Sequence, residues 1–497
     1  MDRKDRVQSD AISRRRFIGM AAGAGSGVVL LDGCGSPPLI RTIRPLLSYT
    51  PSTGATRTSI LTPAPAKFTL GKQTISTWAY NGGMLPGPTI RVNVGDTLRA
   101  IVHNRLSEGT TIHWHGLPVI NAMDGVDTIT QPLIQPGQSF TYDFVVPTAG
   151  TYWYHPHAGL PLDRGLYGAL IVDDPGEQKN YDQDVVLMFD DWLDGVPGGP
   201  GNPSAELKQL SAGGDHMLGM NMDSQLIAAV QMPPDVIYPY YLVNGKAAND
   251  PFTITVQKGQ RIRLRFINAS AATIYHLAIN GHRMSVTHTD GQAVVPVEVD
   301  TLRIGMGERY DVLVTANNPG VWQLAAQVEG VRRMARAIMR YQESTAALPP
   351  ADFLPPELNQ RVLTYAMLNA APGIFTPAIG QPDQTVSFLL SGGITAYAWN
   401  ISNQIYPRAT QITIPKDHRI SFQLNNQSMM PHPIHLHGHF FQLDNGSARG
   451  PLKDTVIVDP MQQINITWIS NNPGLWAFHC QDLYHQATGM MNVIKVG

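Results

Sequence analysis

The sequence predicts an all-β chain made of three related β-sandwiches, and three observations carry that expectation. Its 497 residues include 46 Gly and 38 Pro spread along the whole length, which leaves little room for long helices. Between these breakers lie many short runs rich in Val, Ile, Thr and Tyr, whose branched or aromatic side chains suit a pleated, half-buried surface. The chain also repeats itself, in "GDTLRAIVHN" (Gly95 to Asn104), "GQRIRLRFIN" (Gly259 to Asn268) and "KDHRISFQLN" (Lys416 to Asn425). Each reads as a turn, an alternating strand and a closing Asn; Asn104, Asn268 and Asn425 stand 164 and 157 residues apart, the size of a domain.

A second trio justifies each unit in turn: "AGTYWYHPH" (Ala149 to His157), "PGVWQLAAQ" (Pro319 to Gln327) and "PGLWAFHCQ" (Pro473 to Gln481). Aligned, His155, Ala325 and His479 share one column, Pro156, Ala326 and Cys480 the next, and His157, Gln327 and Gln481 the third. The middle unit offers no metal ligand in any of them. The expected units are residues 46–176, 177–348 and 349–497, after a leader of residues 1–45, with the Pro-rich stretches around 175–200 and 345–357 near the boundaries. Alternate residues of a strand face opposite ways. His155 and His157 therefore look to one side while Cys480 faces away from His479, so one strand can serve two metal sites.

Lys and Arg (36) nearly balance Asp and Glu (38), and no basic stripe or charge run stands out; neither nucleic acid nor an anionic surface is an expected partner. With only Cys34 and Cys480, no disulfide framework holds the fold. The N-terminus reads as an address. "SRRRFIG" (Ser13 to Gly19) and the small, apolar "MAAGAGSGVVLL" match a twin-arginine export signal, so the twin-arginine machinery is an expected partner and the location is periplasmic or otherwise extracytoplasmic. "LDGC" (Leu31 to Cys34) resembles a lipoprotein cleavage site that would anchor the chain through Cys34, although Asp32 departs from the small uncharged residue usual there. No later segment is long and apolar enough to span a bilayer.

The histidines gather in short clusters: "HWHG" (His113, His115), "HPH" (His155, His157), "HPIHLHGH" (His432, His435, His437, His439) and "HCQDLYHQATGM" (His479 to Met490). Paired His-x-His on a strand points two imidazoles the same way, as a shared metal cluster requires. A soft thiolate at Cys480, a histidine at His485 and a thioether at Met490 are the ligand types of a blue-copper electron-transfer site. His439 is expected only to pack, and His103, His216, His276, His282, His288 and His418 read as ordinary core or surface residues.

On these motifs, with "YLVNGK" (Tyr241 to Lys246), "GERYDV" (Gly307 to Val312) and "KDTV" (Lys453 to Val456), the chain from about residue 50 to 497 resembles the multicopper oxidases, the laccase-like family of three cupredoxin domains. The resemblance implies three cupredoxin-like Greek-key β-sandwich domains and up to four copper ions. Type 1 copper would be held by His432, Cys480 and His485 with Met490 axial, and type 2 by His113 and His435. The type 3 pair would take His115, His155, His157, His437 and His479. The family's sixth ligand to that pair would stand at position 481, which here is Gln481.

The logic of such an arrangement is independent of the name. O2 needs four electrons to become water, so one-electron donors feeding a thiolate-bound copper require several coppers held together. Cys480 adjoins His479 through a single peptide, a short covalent route between sites. Asp124, in "NAMDG", matches the family's acidic residue after the first motif and is expected to help deliver protons. Gln486 stands where some bacterial members carry Glu. "GGDHMLGMNM" places His216, Met217, Met220 and Met222 in a Gly-rich loop; packing methionines are the favoured reading, and thioether binding of Cu(I) the alternative. Phenols or Cu(I) are the expected donors and O2 the acceptor. The competing expectations are a copper-binding scaffold with an incomplete cluster, or an electron-transfer module with the type 1 site alone.

Overall fold

The repeated segments become equivalent strands. Thr97–His103 runs parallel to Thr56–Leu61 and antiparallel to Ser139–Val145. Arg261–Asn268 runs parallel to Gln183–Trp192 and antiparallel to Arg309–Thr315, and Arg419–Asn426 parallel to Gln384–Gly392 and antiparallel to Gln463–Ile469. A computed structural model of the chain describes residues 52–212, 234–378, 380–393 and 396–497. The twin-arginine stretch, Cys34 and the loop with His216, Met217, Met220 and Met222 lie outside the described residues.

The architecture is all-β. A three-stranded and a four-stranded sheet are followed by a seven- and a five-stranded pair, then a six- and a five-stranded pair, with a ribbon of Pro63–Leu70 and Gln73–Tyr80 at the start. Among the described residues the α-helices are Pro203–Ala212 and Leu483–Ala487, and no helix is long and apolar enough to cross a membrane.

Burial follows the pleat where one face meets water. In Arg419–Asn426 the alternate residues Ile420, Phe422 and Leu424 are buried and their neighbours half-buried. Arg261–Asn268 departs from this pattern, being buried from Ile262 onward because both its faces are covered. The charges this traps are paired, as buried charges must be: Arg263 Nη2 lies 2.6 Å from Asp311 Oδ2, and Arg265 Nε lies 2.6 Å from Asp184 Oδ1. Thr151 donates to Asp311 Oδ1 at 2.7 Å and accepts from Arg265 Nη1 at 2.9 Å, tying the early strands to the middle ones. The middle core also takes in Trp153, Leu483 and Tyr484, so the described residues form one compact unit.

The second trio of strands is equivalent as well. Gly150–His155 lies between His113–His115 and Gly168–Asp173, and Gly474–Cys480 between His432–Leu436 and Met491–Val496. In these registers His113 faces His155, His435 faces His479 and Ile434 faces Cys480. Strand pairing thus brings histidines together within the first and the third sandwich, and packing of the two sandwiches brings His157 to His479, 322 residues away.

Candidate metal centre

Cys480 ends its strand, and the chain turns at once into the short helix Leu483–Ala487. Asp482 caps that helix, its carboxylate accepting from the Tyr484 and His485 N–H groups at 3.0 Å each, which fixes the first turn and with it His485. His432, Cys480 and His485 converge: the two Nδ1 atoms are 3.1 Å apart, and Cys480 Sγ lies 3.6 and 3.7 Å from them. Their outer nitrogens are engaged. His432 Nε2 meets Ser428 Oγ at 2.7 Å, and His485 Nε2 meets Asp235 Oδ2 at 3.0 Å. The Ser428 hydroxyl hydrogen is committed to Asn426 Oδ1 at 2.8 Å or Met430 O at 3.2 Å, so Ser428 accepts from His432 and leaves Nδ1 a bare lone pair. Met490 is fully buried in the same core as Cys480, and its carbonyl accepts from the Cys480 N–H at 3.0 Å.

Behind Cys480 the remaining clustered histidines, except His439, form one buried group. Donor atoms of His113, His115 and His435, and separately of His157, His437 and His479, lie within 4.8 Å of one another. His479 Nε2 is 3.2 Å from His157 Nε2 and 2.9 Å from His437 Nε2. Partners that can only accept lock the tautomers: Nδ1–H of His113 donates to Asp124 O, that of His155 to Pro156 O, that of His435 to Asp454 O and that of His479 to Cys480 O, all at 2.8–2.9 Å. His437 Nδ1 donates to Asp124 Oδ2 at 2.9 Å. His115 is reversed, its Nε2–H donating to Thr455 Oγ1 at 3.1 Å. The inward atoms, His113 Nε2, His115 Nδ1, His155 Nε2 and His435 Nε2, are buried with no protein partner, as is Gln481 Oε1.

Bare imidazole lone pairs aimed at one another repel unless a cation lies among them. Protonation does not supply it: burial first, then the neighbouring imidazoles, push His155, His157, His437 and His479 well below the usual histidine range. A set of buried imidazoles, all but that of His157 oriented by a hydrogen bond through the other nitrogen, fits transition-metal ions, and the His2Cys group with a buried methionine fits copper in particular.

His155 belongs to neither triad; its ring centroid stands 5.5 Å from that of His113 and 5.8 Å from that of His115. Gln481 lies against the same glycine as His115: a Cβ on Gly307, whose φ is +82°, would sit 2.7 Å from His115 Cε1 and 3.0 Å from Gln481 Cγ. Asp124 is fully buried and holds two rings, those of His113 and His437. Gln486 Nε2 is 3.3 Å from His157 Nε2. His439 packs edge-on against Trp468 and Trp476 and donates to His437 O. His103, His276, His282, His288 and His418 bond locally, to Ser139, Glu329, Tyr341, Thr287 and Lys416 respectively.

Sequence reasoning missed the residues that hold the ligating rings: Ser428, Asp235, Asp454 and Thr455. Two of them stand in "KDTV", which was legible as a motif but not as a role. Nothing local marks Ser428, although it stands four residues before its partner His432, or Asp235, which meets His485 only when segments 250 residues apart come together.

Three models of one family, each described as multicopper oxidase, match residues 64–177, 207–344 and 380–497. The chain is 42% identical to the multicopper oxidase MmcO of Mycobacterium tuberculosis, covering 96% of this chain and 95% of that one. It is 29% identical to copper resistance protein A of Escherichia coli, over 84% and 88% of the two chains. The solved laccase of Botrytis aclada superposes with a TM-score of 0.75 at 26% identity, covering 90% of this chain and 89% of that one. With these likenesses added to its paired sandwiches and converging imidazoles, the chain belongs to the multicopper oxidase family, copper-dependent oxidoreductases that use O2.

Proposed function

We propose that this protein is an exported, laccase-like oxidase that takes single electrons from phenols or Cu(I) and passes them to O2. One observation carries the reading: the peptide bond between His479 and Cys480 joins the thiolate group to the imidazole group. Bound copper supplies the one-electron chemistry at the thiolate and the four-electron reduction of O2 to water at the cluster.

In this reading His432, Cys480, His485 and Met490 would hold type 1 copper. His113 and His435 hold type 2. His157, His437 and His479 hold one copper of the type 3 pair, and His115 and His155 the other, with Gln481 where a third imidazole would stand. The domains are residues 46–176, 177–348 and 349–497, the middle one without copper ligands. Asp124 orients His113 and His437 and is the carboxyl nearest to hand for proton delivery. The leader directs twin-arginine export to the periplasm or an equivalent compartment, with Cys34 as a candidate lipid anchor. The relatives include both laccases and copper resistance proteins, which is why both donor classes are kept in this reading.

The test is a redox cycle on copper-loaded protein. A hydroquinone or Cu(I) added without air should bleach the blue band, and admitted O2 should restore it with water as product. A band that O2 never restores would favour the second reading, a copper-binding protein without oxidase turnover. Gln481 is the feature that favours that alternative.

A further inference from the structure

The middle sandwich contributes no imidazole to the cluster, yet two of its residues, Arg309 and Asp290, hold a carboxylate of the third sandwich, Asp454, that borders it. Arg309, from "GERYDV", and Asp454, from "KDTV", are both fully buried and form a two-pronged pair: Nη1 to Oδ1 at 2.7 Å and Nη2 to Oδ2 at 2.6 Å. Arg309 is itself anchored, its Nε donating to Thr151 O and its Nη1 to Gly307 O, each at 3.0 Å. Asp290 clamps both partners from behind. Its Oδ1 accepts from the Arg309 N–H at 2.9 Å, and its Oδ2 from the Asp454 and Thr455 N–H groups at 3.2 Å each.

Asp454 faces the cluster with its carbonyl and one carboxylate oxygen. Its carbonyl takes the Nδ1–H of His435 at 2.8 Å, and its Oδ1 stands 3.3 Å from His115 Nε2. The same Oδ1 takes the hydroxyl of Thr455 at 2.9 Å, which turns the Thr455 oxygen's lone pairs toward His115 and His435. A Cβ on Gly116, which closes "HWHG" with φ +84°, would collide with Arg309 Nη2 and lie 2.5 Å from Asp454 Oδ2. The glycine of the first motif is thus required by an ion pair between the other two sandwiches. Lys453 adds a second buried cation, 3.0 Å from Asp290 and 2.9 Å from Glu308.

We infer that Asp454, fixed by Arg309 and Asp290 of the middle sandwich, is a positioning residue that sets the orientation and tautomer of His115 and His435 together, so that the domain without copper ligands governs the type 2 corner of the cluster. This rests on the ligand assignment proposed above. His115 is the reversed ring of the set, and Asp454 with Thr455 is what reverses it. Without an acceptor at Nε2 the ring has no reason to present Nδ1 inward.

The test uses the copper-loaded protein, its type 2 electron paramagnetic resonance signal, copper per chain and the blue band. Asp454→Asn preserves volume and the carbonyl but replaces a carboxylate oxygen by an amide and weakens the hold of Arg309. The expected result is an altered or lost type 2 signal and turnover down about 10–100-fold, with the blue band unchanged. Arg309→Lys, which keeps the charge but not the fork, should give the same change in smaller measure. An unchanged type 2 signal and copper count in a folded Asp454→Asn protein would overturn the inference. Should Asp454→Asn fail to fold, the same unchanged result in Arg309→Lys overturns it. A native protein that itself lacks a type 2 signal would instead overturn the ligand assignment, and this inference with it.

Discussion

His157, His437 and His479 on one side of the cluster, and His115, His155 and Gln481 on the other, are delivered by the same strand pairs yet end in different chemistry. On the first side three imidazole Nε2 atoms draw together, 2.9 and 3.2 Å from the central one. On the second, two bare imidazole nitrogens share the space with a buried carboxamide oxygen that has no protein partner. The backbone does not distinguish the two sides. Gln481 occupies the column of His157, is 3% exposed, and has its N–H bonded to Pro433 O at 2.7 Å. On the proposed assignment, the difference teaches that the frame for a ligand can persist where the ligand type has changed. An orphaned buried acceptor costs about 1–3 kcal/mol, so Gln481 is not a comfortable packing residue, and it is a far weaker copper donor than imidazole.

Replacing Cys480 breaks the comparison outright. Cys480→Ser should abolish the blue band and turnover with reductant entirely while both imidazole sides keep their copper. A variant that stays blue would remove the thiolate from the account. Next in size is Asp124→Asn, which acts on the all-histidine side because Asp124 Oδ2 accepts from His437 Nδ1. Turnover should fall about 10–100-fold with the blue band kept; a loss under twofold would mean that the His437 ring is held by its coordination alone. Smallest is Ser428→Ala, which touches neither side and leaves a buried Nε2–H of His432 without its acceptor. Thermal or denaturant unfolding of the copper-free protein should show a loss of about 1–3 kcal/mol, with the type 2 and type 3 signals unmoved. A changed cluster signal here would show that the two groups are not separable.

Much of this was legible in the sequence for a physical reason: strands of period two and repeats of domain length leave their mark locally. The trio ending at Asn104, Asn268 and Asn425 gave equivalent strands with equivalent neighbours. The His-x-His pairs marked the donor residues but not their grouping: His113 and His115 share a set, whereas His435 and His437 fall in different ones and His155 in neither. What was hidden depends on chain segments meeting from afar. The reversed ring of His115 follows from Thr455, 340 residues away. Asp124 read as a proton donor, whereas its geometry also makes it the support of two rings. Arg263 and Arg265 are buried on one face of their strand while Ile262 and Leu264 are buried on the other, which breaks the burial alternation that Arg419–Asn426 displays, since packing between sandwiches leaves no periodic trace in the middle one.

The most direct test is Gln481→His, read by tightly bound copper per chain, magnetic coupling of the type 3 pair and O2-dependent turnover. The account predicts that the native protein holds the copper at His115 and His155 weakly, with its coupling to its partner disturbed. The substitution should restore a tightly held fourth copper and raise turnover about tenfold or more, with the blue band nearly unchanged. Four tightly bound coppers and a normally coupled pair in the native protein, with no gain from the histidine, would contradict it.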